Sequence, residues 1–256
     1  MRTDREHWRV EGHVATLRIG DPRRRNTLTT ASMRHYAGLL AQVPAGVRVV
    51  LLRGAAEGGF AAGADIGELA DPATRGDVDR VLLELCTAIR GVPVPVVAVV
   101  DGHCLGAGVA VALAADLRLA TTGSTFAVPA ARLGAAYPVE LVEELVAAVG
   151  PGAATRMLCT AATLTGEEAG RVGLADEVVP AERLAGRVAA LVDQVTCSAP
   201  LSLRAAVTAV RAARPMAAPD ALAVARAAEE ACWTSDDVRE GTEAFLQRRP
   251  ATFSGR

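Results

Sequence analysis

Hydrophobic and polar positions alternate with two different periods in the first half of the chain. Residues 13–20 alternate apolar and polar side chains, which is typical of a half-buried strand. Residues 47–54 and 96–102 are almost continuously apolar, as in strands that are covered on both faces. Residues 29–43 and 78–92 carry apolar side chains at helical spacing. This alternation of strands and helices predicts an α/β fold.

The last third of the chain differs, because its apolar periodicity is almost wholly helical from Pro180 onward. We therefore expect a mixed α/β domain over residues 1–196 and a helical region over residues 197–256. Trp233 and Phe245 are expected to pack among these helices or to line the acyl end of a site. The predicted helices span residues 181–197, 200–214, 218–233 and 235–249.

Composition and charge exclude several classes of function. The net charge of -2 gives no electrostatic basis for binding nucleic acid. The N-terminus is charged and has no apolar segment of the signal-peptide type, and the apolar run at residues 92–100 is too short to span a bilayer. The cysteines form no CxxC pair and the four histidines are scattered, so we expect neither a disulfide framework nor a metal site. These features predict a cytoplasmic protein without membrane attachment.

Two glycine-bearing segments each follow a buried strand and precede a predicted helix. They are FAAGADIGEL at residues 60–69 and DGHCLGAGVAVALAADL at residues 101–117. The first N–H groups of a helix have no partner within it and can bind an anion. Two such groups aimed at one oxygen would form an oxyanion hole. Taken singly, either segment is equally explained by glycines that permit a tight turn or close packing.

Together with three further motifs, these segments resemble the crotonase superfamily, also called the enoyl-CoA hydratase/isomerase family. FAAGADI (60–66) and VDGHCLGAG (100–108) are similar to the two oxyanion turns of that family. DPRRRNTL (21–28), STFAVPAARLG (124–134) and EGTEAFLQRRPATF (240–253) are similar to its early, middle and C-terminal signatures. The resemblance covers nearly the whole chain. It implies an α/β crotonase-like spiral of ββα units with a helical C-terminal oligomerisation region, assembled as a trimer or hexamer.

The resemblance also implies that the chain binds an acyl-CoA thioester, whose carbonyl lies between the N–H groups of Ala64 and Ala107. Coenzyme A is then part of the substrate, so no separate cofactor is expected. From the residues alone, the arginine run at 23–25 is a solvated face and Asp65 is a helix cap. The CoA contacts that the resemblance implies, position by position, are Arg25, Ala62, Gly63, Ala64, Asp65, Ile66 and Arg248.

Hydratases that the chain resembles use two glutamates, and the matching positions here are Ala110 and Ala130. A methyl group cannot transfer a proton, so hydration by a glutamate pair is not expected. Tyr137 matches a tyrosine that contacts the substrate carboxylate in relatives that decarboxylate malonyl-type CoA, although packing at a helix start also explains it. Three hypotheses stay open: an acyl-CoA enzyme acting through an enolate, a malonyl-CoA-type decarboxylase using Tyr137, and a non-catalytic acyl-CoA carrier.

Overall fold

Ten β-strands form the frame of the structure, a computed structural model that describes residues 7–55, 58–215 and 217–256. They are Trp8–Glu11 (β1), Val14–Ile19 (β2), Val49–Gly54 (β3), Gly59–Ala61 (β4), Val96–Val100 (β5), His103–Leu105 (β6), Leu117–Thr121 (β7), Thr125–Ala127 (β8), Leu164–Thr165 (β9) and Glu177–Val179 (β10). One sheet has six strands in the order β1-β2-β3-β5-β7-β10, and a second has four in the order β4-β6-β8-β9. From β2 to β10 all neighbours in the large sheet are parallel.

Ten α-helices connect and cover the strands in the described ranges. They are Thr30–Leu40 (α1), Ile66–Ala70 (α2), Arg75–Gly91 (α3), Ala107–Ala114 (α4), Val139–Thr160 (α5), Gly166–Val172 (α6), Ala181–Thr196 (α7), Pro200–Ala212 (α8), Ala221–Trp233 (α9) and Asp236–Gln247 (α10). Helix α5 is broken at Gly150, whose φ is 75°. Thr29 caps α1 by accepting the N–H of Ser32, as expected for its side chain and position.

The chain repeats a strand–strand–helix unit, and each unit adds one strand to each sheet. β3 and β4 precede α2 and α3, β5 and β6 precede α4, and β7 and β8 precede α5. Successive units pair in parallel in both sheets, through β3–β5–β7 and β4–β6–β8. The arrangement is a ββα spiral followed by helices, and it confirms the predicted α/β class.

The structure corrects the prediction at the two glycine-bearing segments, which were expected to be turns between one strand and one helix. Each contains a strand of its own, β4 at Gly59–Ala61 and β6 at His103–Leu105. Three residues are too few to show an apolar period, so the pattern could not indicate these strands. Their pairing makes the two segments neighbours in the small sheet.

Both faces of the large sheet are buried, which explains the continuous apolar runs in β3 and β5. One face packs against a core that includes Leu52 of β3, Ala98 of β5 and the buried sides of α1, α3 and α4. The opposite face, including Val49 and Val97, packs against Leu184 and Val188 of α7. Alanine fills much of the first core, because the chain has few aromatic residues.

A buried arginine fastens the C-terminal helices to the sheet. The Arg211 guanidinium on α8 forms two bonds to the Asp116 carboxylate, of 2.8 and 2.5 Å, just before β7. It also donates to the carbonyls of Arg90, Val92 and Val94. Both side chains of the ion pair are about nine-tenths buried, at 9% and 10% exposure. Asp116 is therefore structural.

Other parts of the helical region remain uncovered in the single chain. Trp233 is 70% exposed and Phe245 is 83% exposed, so the prediction that they pack among helices or line a site is wrong for this chain alone. The buried residues of α9 and α10 are instead Ala225, Asp237 and Ala244. Within the described residues, no helix is both long enough and apolar enough to cross a membrane.

We expect Asp116→Ala to lower the free energy of unfolding by about 3–5 kcal/mol, because it leaves the Arg211 charge buried without its partner. Urea unfolding would measure the loss. The matched control is Glu84→Ala, which removes an exposed ion pair with Arg80 and should cost under about 1 kcal/mol. Equal losses for the two variants would contradict the structural role of Asp116.

Candidate active site

The two glycine-bearing segments approach so closely that a Cβ at either contact would force its neighbours to shift. A Cβ on Gly63, whose φ is +104°, would lie 3.1 Å from the Leu105 carbonyl oxygen and 3.8 Å from the Ala107 nitrogen. A Cβ on Gly108 would lie 2.9 Å from the Ala61 carbonyl oxygen. The first turn of α4 therefore rests directly on the backbone that follows β4.

This close approach places two unused backbone donors side by side. The N–H groups of Ala64 and Ala107 donate to none of the residues that the structure describes. Other N–H groups of the first segment are engaged, since Ala62 donates to Arg25 and Asp65 donates to Leu28. Ala64 and Ala107 both line one cavity of about 110 Å³. A donor pair in a mostly apolar cavity is the arrangement that stabilises negative charge on an oxygen.

Two polar side chains hold the start of β4, which leads into the first segment. The buried Asn26 donates to the Gly59 carbonyl at 2.7 Å. The His103 ring lies between two carbonyls, with Nδ1 3.0 Å from Gly58 and Nε2 2.8 Å from Arg25. His103 does not line the cavity, so the structure supports packing and positioning for it rather than chemistry.

Tyr137 lies beside the first position where a hydratase of the family would carry glutamate. Its hydroxyl donates to the Gly106 carbonyl at 3.2 Å and lies against the backbone of Ala110. Ala110 is buried in α4, while Ala130, at the second glutamate position, lines the cavity. Burial raises the pKa of Tyr137 well above its ordinary value, so the phenol stays protonated at neutral pH. Tyr137 is a hydrogen-bond donor here and not a base.

The cysteines near the cavity do not replace the missing acids. Burial raises the pKa of Cys86 to about 12, and burial also raises the pKa of Cys104. Both side chains are therefore thiols at neutral pH, which are poor nucleophiles and poor bases.

Of the residues for which CoA contacts were predicted, some line the cavity and others do not. Ala62, Gly63, Ala64 and Ile66 line the cavity. Asp65 caps α2 through a 2.7 Å bond from the Gly67 N–H, in agreement with the cap expected from sequence.

The arginines at positions 24, 25 and 248 lie outside the cavity wall. Arg24 pairs with Asp65 at 2.5 Å and lowers the pKa of that carboxyl through its hydrogen bond. Arg25 and Arg248 are exposed, both have left-handed backbone, and neither lines the cavity. Their CoA contacts stay predictions.

One charged residue of the cavity wall was missed in the sequence. Asp79, a solvent-exposed residue of α3, lines the cavity beside Val78 and Leu82. Its surroundings raise the pKa of its carboxyl, first through partial burial and then through the negative charge of Glu140. Glu140 itself is exposed and does not line the cavity. The available signal was helical spacing, because Asp79 lies three positions before Leu82 and so shares its side of the helix.

Comparisons with known proteins agree with this fold. Residues 9–256 match the family model described as Enoyl-CoA hydratase/isomerase. The chain is 29% identical over 245 residues to 2,3-dehydroadipyl-CoA hydratase of Escherichia coli K12, covering 95% of this chain and 96% of that protein. It is 28% identical over 251 residues to crotonyl-CoA hydratase of Syntrophomonas wolfei, covering 95% of each.

A solved structure gives the same result at the level of the fold. The enoyl-CoA hydratase of Bacillus anthracis superposes with a TM-score of 0.88 at 25% identity, covering 98% of this chain and 100% of that one. A ββα spiral with paired backbone donors at one cavity defines a crotonase-type protein. The chain belongs to the enoyl-CoA hydratase/isomerase family.

We expect Gly108→Ala to lower the free energy of unfolding by about 1–3 kcal/mol, because the new methyl group forces α4 away from the Ala61 backbone. Urea unfolding would measure this. The control is Gly76→Ala on α3, where a Cβ meets nothing within 4 Å. Since alanine favours helix, the control should be neutral or stabilising by up to about 1 kcal/mol. A neutral Gly108→Ala variant would contradict the close approach of the two segments.

Proposed function

We propose that this chain binds an acyl-CoA thioester and polarises its carbonyl between the N–H groups of Ala64 and Ala107. The observation that carries the proposal is that two adjacent segments each present a free backbone donor to one cavity. Charge that develops on the thioester oxygen, as the α-carbon becomes an enolate, would be stabilised by both donors. The positive end of α4 would favour the same charge.

Hydration is a poor fit to this cavity. Adding water across a double bond requires one group to activate the water and one to deliver a proton. Ala110 and Ala130 stand at the two matching positions, and Tyr137 is a protonated phenol that already donates to Gly106. We therefore propose that the protein is not an efficient hydratase, although its relatives include hydratases.

Two alternatives need no acid pair. In decarboxylation, the bond to the carboxyl carbon breaks, carbon dioxide leaves, and the electron pair of that bond becomes the enolate, which then takes a proton from water. Tyr137 lines the cavity and supports this candidate. In the second alternative, the protein holds acyl-CoA without turning it over. The paired donors support binding in both cases, so turnover has to be measured.

Assembly into trimers, or hexamers built from two trimers, is also proposed. The support is the exposed apolar surface of the C-terminal helices, including Trp233, Phe245 and Leu246, the last of which is 80% exposed. Light scattering at micromolar concentration measures the mass, and a monomer would contradict the proposal. The cytoplasmic location likewise stays a prediction.

We expect Ala107→Pro to weaken acyl-CoA binding by at least about tenfold, because proline removes one donor of the pair. Ala107 is the first residue of α4, a position where helices accept proline. Ala107→Gly keeps the N–H group and is the control, which should bind like the wild type. Calorimetric titration with butyryl-CoA measures both, with circular dichroism to verify folding. Full binding by folded Ala107→Pro would refute the donor assignment.

We expect crotonyl-CoA hydration far below the rates of good hydratases, because each missing proton-transfer group costs about 10²- to 10⁴-fold. Crotonyl-CoA hydration and malonyl-CoA decarboxylation would be assayed side by side, in the wild type and in Tyr137→Phe. Hydration at about 10 s⁻¹ or faster would contradict this expectation. Decarboxylation that falls sharply in Tyr137→Phe would establish the decarboxylase, and tight binding without turnover would establish the carrier.

A further inference from the structure

The cavity lined by Ala64 and Ala107 contains an acidic residue and no basic residue in its described wall, and the proposed chemistry does not use that acidic residue. Asp79 is the only Asp, Glu, His, Lys or Arg in the described cavity wall. The rest of the wall consists of glycine, alanine, proline, valine, leucine and isoleucine, together with the Tyr137 phenol. The segment 129–133 contributes Pro129, Ala130 and Leu133 but not Arg132. A negative charge entering this cavity would therefore meet a carboxylate and no cation from the wall.

The neighbours of Asp79 strengthen this bias. Glu140, at the start of α5, adds a second negative charge close enough to raise the pKa of the Asp79 carboxyl. The Tyr137 hydroxyl, the one side-chain donor of the described wall, is already bonded to the Gly106 carbonyl. A carboxylate in the cavity would gain that donor only by breaking the existing bond. The two backbone donors at Ala64 and Ala107 would be occupied by the thioester oxygen.

We propose that Asp79 determines acyl specificity, so that the cavity accepts uncharged acyl chains and rejects acyl groups that end in a carboxylate. The inference rests on the proposed binding of acyl-CoA at Ala64 and Ala107. It selects a substrate class within that function, because malonyl-type and other dicarboxylic thioesters would bring like charges together in a mostly apolar site. Short saturated or unsaturated acyl chains fit the remaining wall.

The test compares butyryl-CoA with succinyl-CoA, which have the same acyl length and differ by a terminal methyl group against a carboxylate. Calorimetric titration at low ionic strength gives the ratio of the two dissociation constants. The wild type should bind butyryl-CoA at least about tenfold more tightly, a difference of about 1.4 kcal/mol. Asp79→Asn keeps the size of the side chain and should shrink the ratio at least about fivefold, because the like-charge repulsion is gone.

Two further variants sharpen the result. Asp79→Lys should favour succinyl-CoA relative to Asp79→Asn, because it supplies the missing cation. Asp77→Asn is the control on the same helix. The Asp77 carboxylate pairs with Arg34 and Arg80, and Asp77 does not line the cavity. Its ratio should equal that of the wild type.

The outcomes separate this inference from the proposed function. If butyryl-CoA binds but the ratio is the same in Asp79→Asn and Asp79→Lys as in the wild type, the role of Asp79 is refuted and acyl-CoA binding stands. Succinyl-CoA binding as tightly as butyryl-CoA in the wild type also refutes it. Failure of both thioesters to bind overturns the proposed function and this inference together.

Discussion

The close approach of two backbone segments is the constraint on which the site depends. β3 pairs in parallel with β5, and β4 pairs in parallel with β6. The two glycine-bearing segments, which follow β3 and β5, are therefore neighbours. Gly63 and Gly108 favour this close approach, because a Cβ at either position would lie only 3.1 or 2.9 Å from a carbonyl oxygen. Ala64 and Ala107 line the same cavity as a result of this contact. Both unused donors are backbone N–H groups, so alanine serves at both positions.

Because the donor pair belongs to the backbone, it is independent of the residues that would perform acid–base chemistry. Asn26 and His103 hold the start of β4, and Arg211 holds the C-terminal helices through Asp116. None of these contacts requires a glutamate at position 110 or 130. The backbone arrangement at the cavity therefore does not depend on a glutamate at either position, and alanine at positions 110 and 130 is compatible with the whole scaffold.

The elements that long apolar patterns define could be predicted from the sequence. β3, β5 and α7 each bury a large apolar surface. That burial leaves a clear signal in the sequence, as an apolar run in each strand and as an amphipathic period in the helix. Strands β4 and β6 have three residues each, and their existence depends on pairing with distant strands. The contact between Arg211 and Asp116 joins residues 95 positions apart. Such contacts follow from the fold and leave no local pattern.

The site was predicted to a similar extent, and for the same reason. The donors at Ala64 and Ala107 belong to motifs whose letters resemble a family, so they could be named before the structure. Asp79 belongs to no motif, and the helical spacing that puts it on the same side as Leu82 does not by itself show that this side lines a cavity.

Tyr137 also limits which reaction the cavity can support. Its half-buried hydroxyl is protonated and already bonded to the carbonyl that precedes Ala107, so it fixes the start of α4. To act on a substrate carboxylate, it would have to release Gly106 in a cavity that Asp79 also lines. To act as a base, it would have to lose a proton that burial holds in place. The observed contacts therefore suit Tyr137 to holding the start of α4 in place rather than to moving protons.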